Sequence, residues 1–273
     1  MDARLQRRVQ RYGWDRAADT YEALWSRHLA PANASLIDGA ALAPGERVLD
    51  VACGTGTVAF EAAERIGPTG HVLGIDLSGR MVELAGAASA AGGESAPTAF
   101  SRMDGEALDL PDASVDVVLC AFGLMYMPDP ERALREMRRV LRPGGRLALA
   151  VWGERARCAW AAVFDIVDEE VASDVCPLFF RLGTGTALWQ ACGEAGFATV
   201  RERRLPATLR HADADEACRA ALVGGPVALA WSRLDAEARE RVRRRYVHAI
   251  APCRTASGYA LPSEFVVVHA RAG

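Results

Sequence analysis

The sequence predicts an α/β fold, with a mostly parallel sheet of about seven strands and helices on both faces. From residue 47 onward, short apolar runs alternate with helical segments, which is typical of parallel strands joined by crossover helices. Residues 48–59 indicate a buried strand that runs into a glycine turn and a helix. The chain length of 273 residues suits one domain with insertions.

The first half of the chain gives a regular series of elements. Residues 1–43 carry charged and aromatic side chains at helical spacing, which predicts an N-terminal helical cap that ends at Pro44-Gly45. Strands are then predicted at 47–52, 71–75, 98–103, 115–120 and 146–151, with helices at 56–66, 78–91 and 130–141. A glycine-rich loop at 92–97 precedes the third strand, and Pro143-Gly144-Gly145 follows the last of these helices.

The second half is less regular. We predict helices at 156–172, 185–195, 213–223 and 235–250, a strand near 197–205 and a final strand at 265–270. Within one domain, the chain then divides into the cap at 1–43, a core at 44–152 and a region at 153–273. That last region is expected to supply helices inserted over the substrate-binding part of the active site, and the strands that complete the sheet.

The charged residues exclude several classes of function. The 32 basic and 35 acidic residues give a net charge of −3, so no positive field would attract nucleic acid. Every basic residue is arginine, which excludes Schiff-base catalysis, a Walker-A phosphate loop and a lysine base. We therefore expect a small-molecule substrate and no nucleic-acid partner.

The cysteines and the apolar runs indicate the cellular setting. Seven cysteines occur without a C-x-x-C pair, which is neither a zinc spacing nor a disulfide framework, and no metal is predicted. The charged N-terminus is followed by no apolar run of signal-peptide length, and no segment is apolar enough for a membrane span. We expect a reducing, cytoplasmic location, and leave a homodimer open.

The glycine turn predicts a nucleotide-cofactor site. Gly54 and Gly56 lack a Cβ, so backbone N–H groups at the helix start can approach a ligand closely. Residues 54–59 also satisfy a loose G-x-G-x-x-A dinucleotide pattern, and Asp76 lies 20 residues beyond Gly56, where a ribose-binding acid is expected. At this point both NAD and S-adenosylmethionine fit.

Three acids at the ends of successive strands distinguish between NAD and S-adenosylmethionine. Asp50 ends the first predicted strand, Asp76 the second and Asp104 the third. A carboxylate at Asp50 would repel a pyrophosphate, whereas it would attract the ammonium and sulfonium groups of S-adenosylmethionine. Asp76 can accept hydrogen bonds from ribose hydroxyls, and Asp104 from an adenine amine. The electrostatics favour the cationic cofactor.

Five motifs in order resemble a known family. They are the segment 50–56, Gly-Ile-Asp-Leu-Ser at 74–78, Asp-Gly-Glu at 104–106 followed by Leu110-Pro111, Ser-Val-Asp-Val-Val at 114–118 and Leu-Arg-Pro-Gly-Gly at 141–145. Together they resemble the class I S-adenosylmethionine-dependent methyltransferases, in the methyltransferase type 11 group related to ubiquinone/menaquinone biosynthesis. The resemblance implies a Rossmann-like seven-stranded sheet whose last strand is antiparallel. It also implies S-adenosylmethionine as cofactor and S-adenosylhomocysteine as product.

The resemblance also implies a set of cofactor contacts. Glycines would lie under the methionine moiety, the three acids would bind its amino group, ribose and adenine, and cap aromatics would close over the site. The implied residues are Tyr12, Tyr21, Asp50, Ala52, Gly54, Thr55, Gly56, Asp76, Leu77, Met81, Asp104, Gly105, Glu106, Ala121 and Phe122.

The resemblance implies methyl transfer to a small-molecule acceptor, for which we expect an apolar or aromatic metabolite. No strong base is evident, and the candidates are Tyr126, His28 and His248. An acidic phenol, an enol or a thiol would need no such base. Two alternatives share every cofactor motif: an enzyme that uses the same fold for a cyclisation or rearrangement, and a non-catalytic cofactor-binding protein. A dehydrogenase would be expected to lack Asp50 and Asp104.

Overall fold

The sheet positions the candidate site. A computed structural model describes residues 3–91, 96–171, 176 and 178–273. In these residues the sheet has the order β3-β2-β1-β4-β5-β8-β6, and a short β7 pairs only with β8. The strands are β1 Arg47–Val51, β2 His71–Asp76, β3 Thr98–Arg102, β4 Val115–Ala121, β5 Leu141–Trp152, β6 Phe197–His211, β7 Arg254–Thr255 and β8 Gly258–Ala272.

Helices cover both faces of this sheet. They are α1 Ala3–Ala40, α2 Thr57–Ile66, α3 Gly79–Ala90, α4 Pro130–Val140, α5 Ala162–Val171, α6 Ala187–Glu194, α7 Ala214–Leu222, α8 Ala228–Arg233 and α9 Ala236–Ile250. No helix within the described ranges combines the length and apolar character that crossing a membrane would need.

The strand order creates a ligand-binding edge. β1 to β5 run parallel, and β8 lies antiparallel between β5 and β6. The chain moves outward from β1 to β3 and then returns to β4 beside β1, so the order reverses between β1 and β4. In open α/β sheets, ligands bind outside the carboxyl ends of the strands at this reversal. The predicted α/β fold with an antiparallel last strand is confirmed.

The central strands are held by burial on both faces. Val48, Leu49 and Val51 of β1 are at most 1% exposed, and Val48 pairs with Val72 on one side and Val117 on the other. Strands covered by helices on both faces are apolar along their length rather than alternating. This explains why the sequence pattern located β1 and β4 well.

The first helix lies over the carboxyl edge and is anchored there by polar contacts. The Ser78 hydroxyl donates to Asp15 of α1 at 2.6 Å. The hydroxyls of Thr55 and Thr57 donate to Glu22 of α1 at 2.7 and 3.1 Å. These bonds fix α1 to the turns that follow β1 and β2.

The second half differs most from the sequence expectations. β6 and β8 extend to 197–211 and 258–272 instead of 197–205 and 265–270, because polar residues continue their antiparallel ladder beyond the apolar runs. The expected helix at 156–172 consists of 3₁₀ turns at Arg155–Arg157 and Ala159–Ala161, followed by α5. The short α8 was not predicted. Residues 92–95 of the expected loop and residue 172 of the expected helix lie outside the described residues.

Candidate functional site

A cleft with a volume of about 980 Å³, including the space that is open to solvent, lies along the carboxyl edge of the sheet. It adjoins a smaller cavity of about 440 Å³, and the two share Tyr21, Leu29, Ala52, Gly54, Ala121 and Phe122. Strand ends form the floor of the cleft, and one face of α1 forms its roof. This face carries Arg7, Gln10, Trp14, Tyr21, Trp25 and Leu29.

The floor changes in character from β3 to β5. Following the sheet order, the carboxyl edge presents Asp104 after β3, Asp76 at the end of β2, Asp50 in β1 beside the smaller cavity, Phe122 after β4 and Trp152 at the end of β5. Neighbouring strands are about 4.8 Å apart, so these five positions span about 19 Å. The site is therefore acidic at one end and aromatic at the other.

The glycine turn is built around the Asp76 carboxylate. Gly54 has φ +55°, and its N–H donates to Asp76 Oδ2 at 3.0 Å, while the Ser78 N–H donates to Oδ1 at 2.8 Å. Burial raises the pKa of Asp76 to about 6, although these two N–H groups oppose the increase. Gly56, with φ +93°, precedes α2, where a Cβ would come within 2.8 Å of the Phe60 ring. Gly56 shapes the turn without bordering either cavity.

Asp50 borders the smaller cavity as an unpaired acid. It is 1% exposed, and neither carboxylate oxygen has a hydrogen-bond partner among the described residues. Burial raises the pKa of Asp50 well above its usual range, and the nearby Asp76 raises it further. The Ala59 N–H faces the carboxylate and partly opposes this increase, without meeting the geometry of a hydrogen bond. Buried acids normally have partners, so this carboxylate suits a cationic ligand group.

At the acidic end, an arginine from α1 closes the cleft. Arg7 Nε donates to Glu106 at 2.6 Å and lies 3.1 Å from Asp104, and its Nη2 also contacts Glu106. The Asp129 N–H donates to the other Glu106 oxygen at 2.5 Å. Glu106 is 1% exposed. Its carboxylate therefore holds α1 and the loop after β3 together.

Two residues with left-handed backbone lie where β1 and β4 end. Ala52 has φ +59° and Phe122 has φ +60°, and both border the two cavities. Such a φ is a true outlier for a bulky residue, and backbone strain of this kind clusters at functional sites. The Phe122 N–H donates to Ala150 O at 2.7 Å, which holds the residue in place.

The opposite end of the cleft is formed by Trp25, Phe122, Trp152 and Trp160, called here the aromatic end. The ring centroids of Trp152 lie 5.9 Å from Trp25, 5.7 Å from Phe122 and 4.9 Å from Trp160. Aromatic pairs at these distances are mutually stabilising. These packed rings make a rigid apolar wall next to Phe122.

The structure brings most of the expected cofactor residues to one place. Those that border the large cleft are Tyr21, Ala52, Gly54, Asp76, Leu77, Met81, Asp104, Gly105, Glu106, Ala121 and Phe122, and the smaller cavity adds Asp50 and Thr55. Tyr12 and Gly56 border neither. Tyr12 is 44% exposed and lies two residues before Trp14, which places it about 200° around α1 from the cleft-facing side. We therefore propose neither residue as a direct cofactor contact.

The three candidate bases are poorly suited to remove a proton. Tyr126 borders the cleft, but burial raises its pKa well above its usual range, so it stays a phenol near neutral pH. His28 borders neither cavity and packs against His211, with ring centroids 4.8 Å apart. His248 is exposed on α9 and also lies outside both cavities. Within the described lining, Tyr126 can donate a hydrogen bond but is a weak base.

The His28–His211 pair predicts stability that is lost in acid. Burial lowers the pKa of both rings to about 4, with Arg27, Glu216 and Asp213 as charged neighbours. The unfolded chain takes up these protons near pH 6.5, so the free energy of unfolding should fall as the pH decreases from about 6.5 to about 4. Asp76, whose folded pKa is raised, has the opposite effect. Urea unfolding of the wild type and His211→Asn across this range isolates the histidines, and a pH-independent difference would contradict the expectation.

Several bordering residues were missed in the sequence, although signals for some existed. Trp152 ends β5, so the strand-end rule that selected Asp50 and Asp76 also applies to it. Arg7 and Gln10 lie on the helical stripe that continues from Trp14. Met103 directly follows β3 and meets the same strand-end rule, whereas Met127 and Trp160 are placed by loop packing.

Comparisons with known proteins agree with this geometry. Residues 48–145 match a family described as a methyltransferase domain. The ubiquinone/menaquinone biosynthesis C-methyltransferase UbiE of Ectopseudomonas mendocina is 39% identical over 122 residues, which cover 45% of this chain and 48% of that protein. The nocamycin O-methyltransferase of Saccharothrix syringae is 34% identical over 227 residues, which cover 77% of this chain and 78% of that protein.

The chain belongs to the class I S-adenosylmethionine-dependent methyltransferases. It spans about half the length of the UbiE protein, and most of that of the nocamycin enzyme. Among solved structures, the 4+2-cyclase SpnF has a TM-score of 0.61 and 23% identity, with 92% of this chain and 83% of that chain covered. This last likeness shows the fold alone.

The residues present fit S-adenosylmethionine, the cofactor of this family. The unpaired Asp50 carboxylate suits the cofactor's ammonium group, and Gly54 leaves space beside it. The Asp76 oxygens keep free lone pairs for ribose hydroxyls, and Asp104 lies where adenine would follow. An anionic pyrophosphate would instead meet two buried acids, so the alternative of NAD is disfavoured.

Proposed function

We propose that this protein transfers the methyl group of S-adenosylmethionine to an oxygen of a small, largely apolar or aromatic acceptor. The aromatic end carries this proposal, because its four ring side chains are uncharged and one of them, Phe122, directly follows Ala121 and packs against Trp152. Similarity to the nocamycin O-methyltransferase over most of both chains favours oxygen over carbon. The homodimer and the cytoplasmic location stay predictions from the sequence.

The protein's own contribution would be positioning. When bound, the cofactor supplies an electrophilic methyl group on a positively charged sulfur. Asp50 would bind the ammonium group of the cofactor and Asp76 its ribose hydroxyls, so that Ala121 and Phe122 face the methyl group. The α1 roof limits the access of water, and the packed indoles hold the acceptor in one orientation. Orientation of this kind is worth up to roughly 7–11 kcal/mol in well-positioned reactions.

The acceptor would need to be acidic on its own. None of the four side chains of the aromatic end can remove a proton, and Tyr126 stays protonated. A phenol or enol that ionises in water would arrive as the nucleophilic anion. The rate should then follow the pKa of the acceptor rather than that of an enzyme group.

A product assay tests the proposed function. The protein is incubated with S-adenosylmethionine and a panel of naphthols and cyclic enols, and S-adenosylhomocysteine and methyl ethers are measured by mass spectrometry. We expect the two products in equal amounts, and none with heat-denatured protein. A C-methylated product would contradict the choice of oxygen. An isomerised acceptor without S-adenosylhomocysteine would indicate the cyclisation alternative, and cofactor binding without any product would indicate a non-catalytic binding protein.

A further inference from the structure

Trp160 has an unpaired hydrogen-bond donor beside the cleft. It lies in the 3₁₀ turn Ala159–Ala161, is 1% exposed and borders the aromatic end. Its Nε1 is buried and has no partner among the described residues. By contrast, the Nε1 groups of Trp25 and Trp189 donate to the carbonyl oxygens of Ala220 and Val200, each at 3.2 Å.

The packing around Trp160 fixes this donor in place. Its ring centroid lies 4.9 Å from Trp152, 5.4 Å from Trp25 and 5.7 Å from Phe179. A ring held on several sides cannot rotate to find another acceptor. Buried polar groups in proteins are nearly always paired, and phenylalanine would fill an apolar wall without an unpaired N–H. An indole at this position is therefore explained by a ligand that supplies the acceptor.

We propose that the Trp160 N–H orients the methyl acceptor by donating a hydrogen bond to one of its oxygens. The inference rests on the proposed function and narrows its substrate class. An indole is a donor only, and the side chains of Trp25, Phe122 and Trp152 contain no oxygen. The aromatic end therefore favours a planar conjugated molecule with a carbonyl, enolate or phenolate oxygen. A ligand with a further hydroxyl or amine would find no side chain there to accept its hydrogen bond.

Two matched probes test this inference on the full chain saturated with S-adenosylhomocysteine. 2-Acetylnaphthalene carries one carbonyl oxygen, and 2-ethylnaphthalene has nearly the same shape without it. We expect the wild type to bind the ketone about tenfold more tightly than the hydrocarbon, as one buried hydrogen bond implies. Trp160→Phe should remove this preference. Trp189→Phe is the matched control, because its N–H is already bonded to the backbone and it borders neither cavity, and it should keep the preference.

Indole NMR gives a second measurement that does not depend on the variant folding. With ¹⁵N-labelled tryptophan, one wild-type indole signal should move downfield with the ketone and not with the hydrocarbon. Failure of the ketone to bind, or an equal preference in the wild type and Trp160→Phe, overturns the assignment of Trp160. If the wild type does not bind S-adenosylhomocysteine, that result would instead contradict the proposed function.

Discussion

Asp50→Asn is expected to weaken S-adenosylmethionine binding by about 10- to 100-fold. A hydrogen bond to a charged group is worth about 1.5–3 kcal/mol, and Asp50 is a buried acid beside the smaller cavity with no other partner in the described ranges. Asparagine preserves the shape of the side chain but cannot balance an ammonium group. Isothermal titration calorimetry with S-adenosylmethionine measures the change directly.

The same variant should lose most of the pH dependence of binding. Burial raises the pKa of Asp50 in the free protein, and a bound cation would lower it again. Binding therefore releases a proton, and the wild-type affinity should rise with pH until Asp50 is ionised in the free protein. Titrations in two buffers of different ionisation enthalpy count the released protons. Asp76 also titrates near pH 6, so a smaller pH dependence should persist in Asp50→Asn.

Stability should move in the opposite direction to affinity. Without cofactor, Asp50 is a buried carboxyl group that no described residue pairs with, so Asp50→Asn should raise the free energy of unfolding by about 1 kcal/mol. Asp116→Asn is a suitable control because Asp116 lies on β4 and binds Arg142 and the Arg47 N–H, outside both cavities. It should lower stability and leave affinity unchanged. Unchanged cofactor affinity in Asp50→Asn would contradict the assignment of Asp50.

The acids of the site could be predicted because strand topology converts sequence position into spatial position. Asp50, Asp76 and Asp104 each end or follow a parallel strand, and such ends meet at one edge whatever the details of side-chain packing. The same rule would have found Trp152. It does not tell which face of a long helix covers that edge, so the sequence could not separate Tyr12 from the residues of α1 that border the cleft.

Other parts of the site depend on contacts between distant segments. Arg7 lies about a hundred residues before its partners, among the similar side chains of Arg4, Arg8 and Arg11. Trp160 belongs to a region whose expected long helix is broken into 3₁₀ turns. No local pattern distinguishes these two residues from surface or core positions, because their roles are set by tertiary packing.

Arg7→Met is expected to lower the free energy of unfolding by about 2–3 kcal/mol. Within the part of the chain that the structure describes, the variant leaves Glu106, which is 1% exposed, with only the Asp129 N–H as a partner. An uncompensated buried charge is strongly destabilising. Urea unfolding of the wild type and the variant measures the difference. Arg11→Met is the matched control, since Arg11 lies over the Tyr12 ring and borders neither cavity.

A double-mutant cycle shows whether the pair itself holds α1 over the cleft. Glu106→Gln removes the buried charge, so Arg7→Met should cost much less stability in that background. Loss of the Arg7 contacts should speed hydrogen exchange in the first turns of α1. Because Arg7 also contacts Asp104 at the acidic end of the cleft, Arg7→Met should weaken cofactor binding several-fold as well. Equal effects of Arg7→Met in both backgrounds would mean that the Arg7–Glu106 pair does not hold α1 over the cleft. Cofactor binding and the docking of α1 would then be independent of each other. We expect the opposite, because the Arg7 contacts connect α1 to the acidic end of the cleft, so that docking of α1 strengthens cofactor binding and cofactor binding stabilises docked α1.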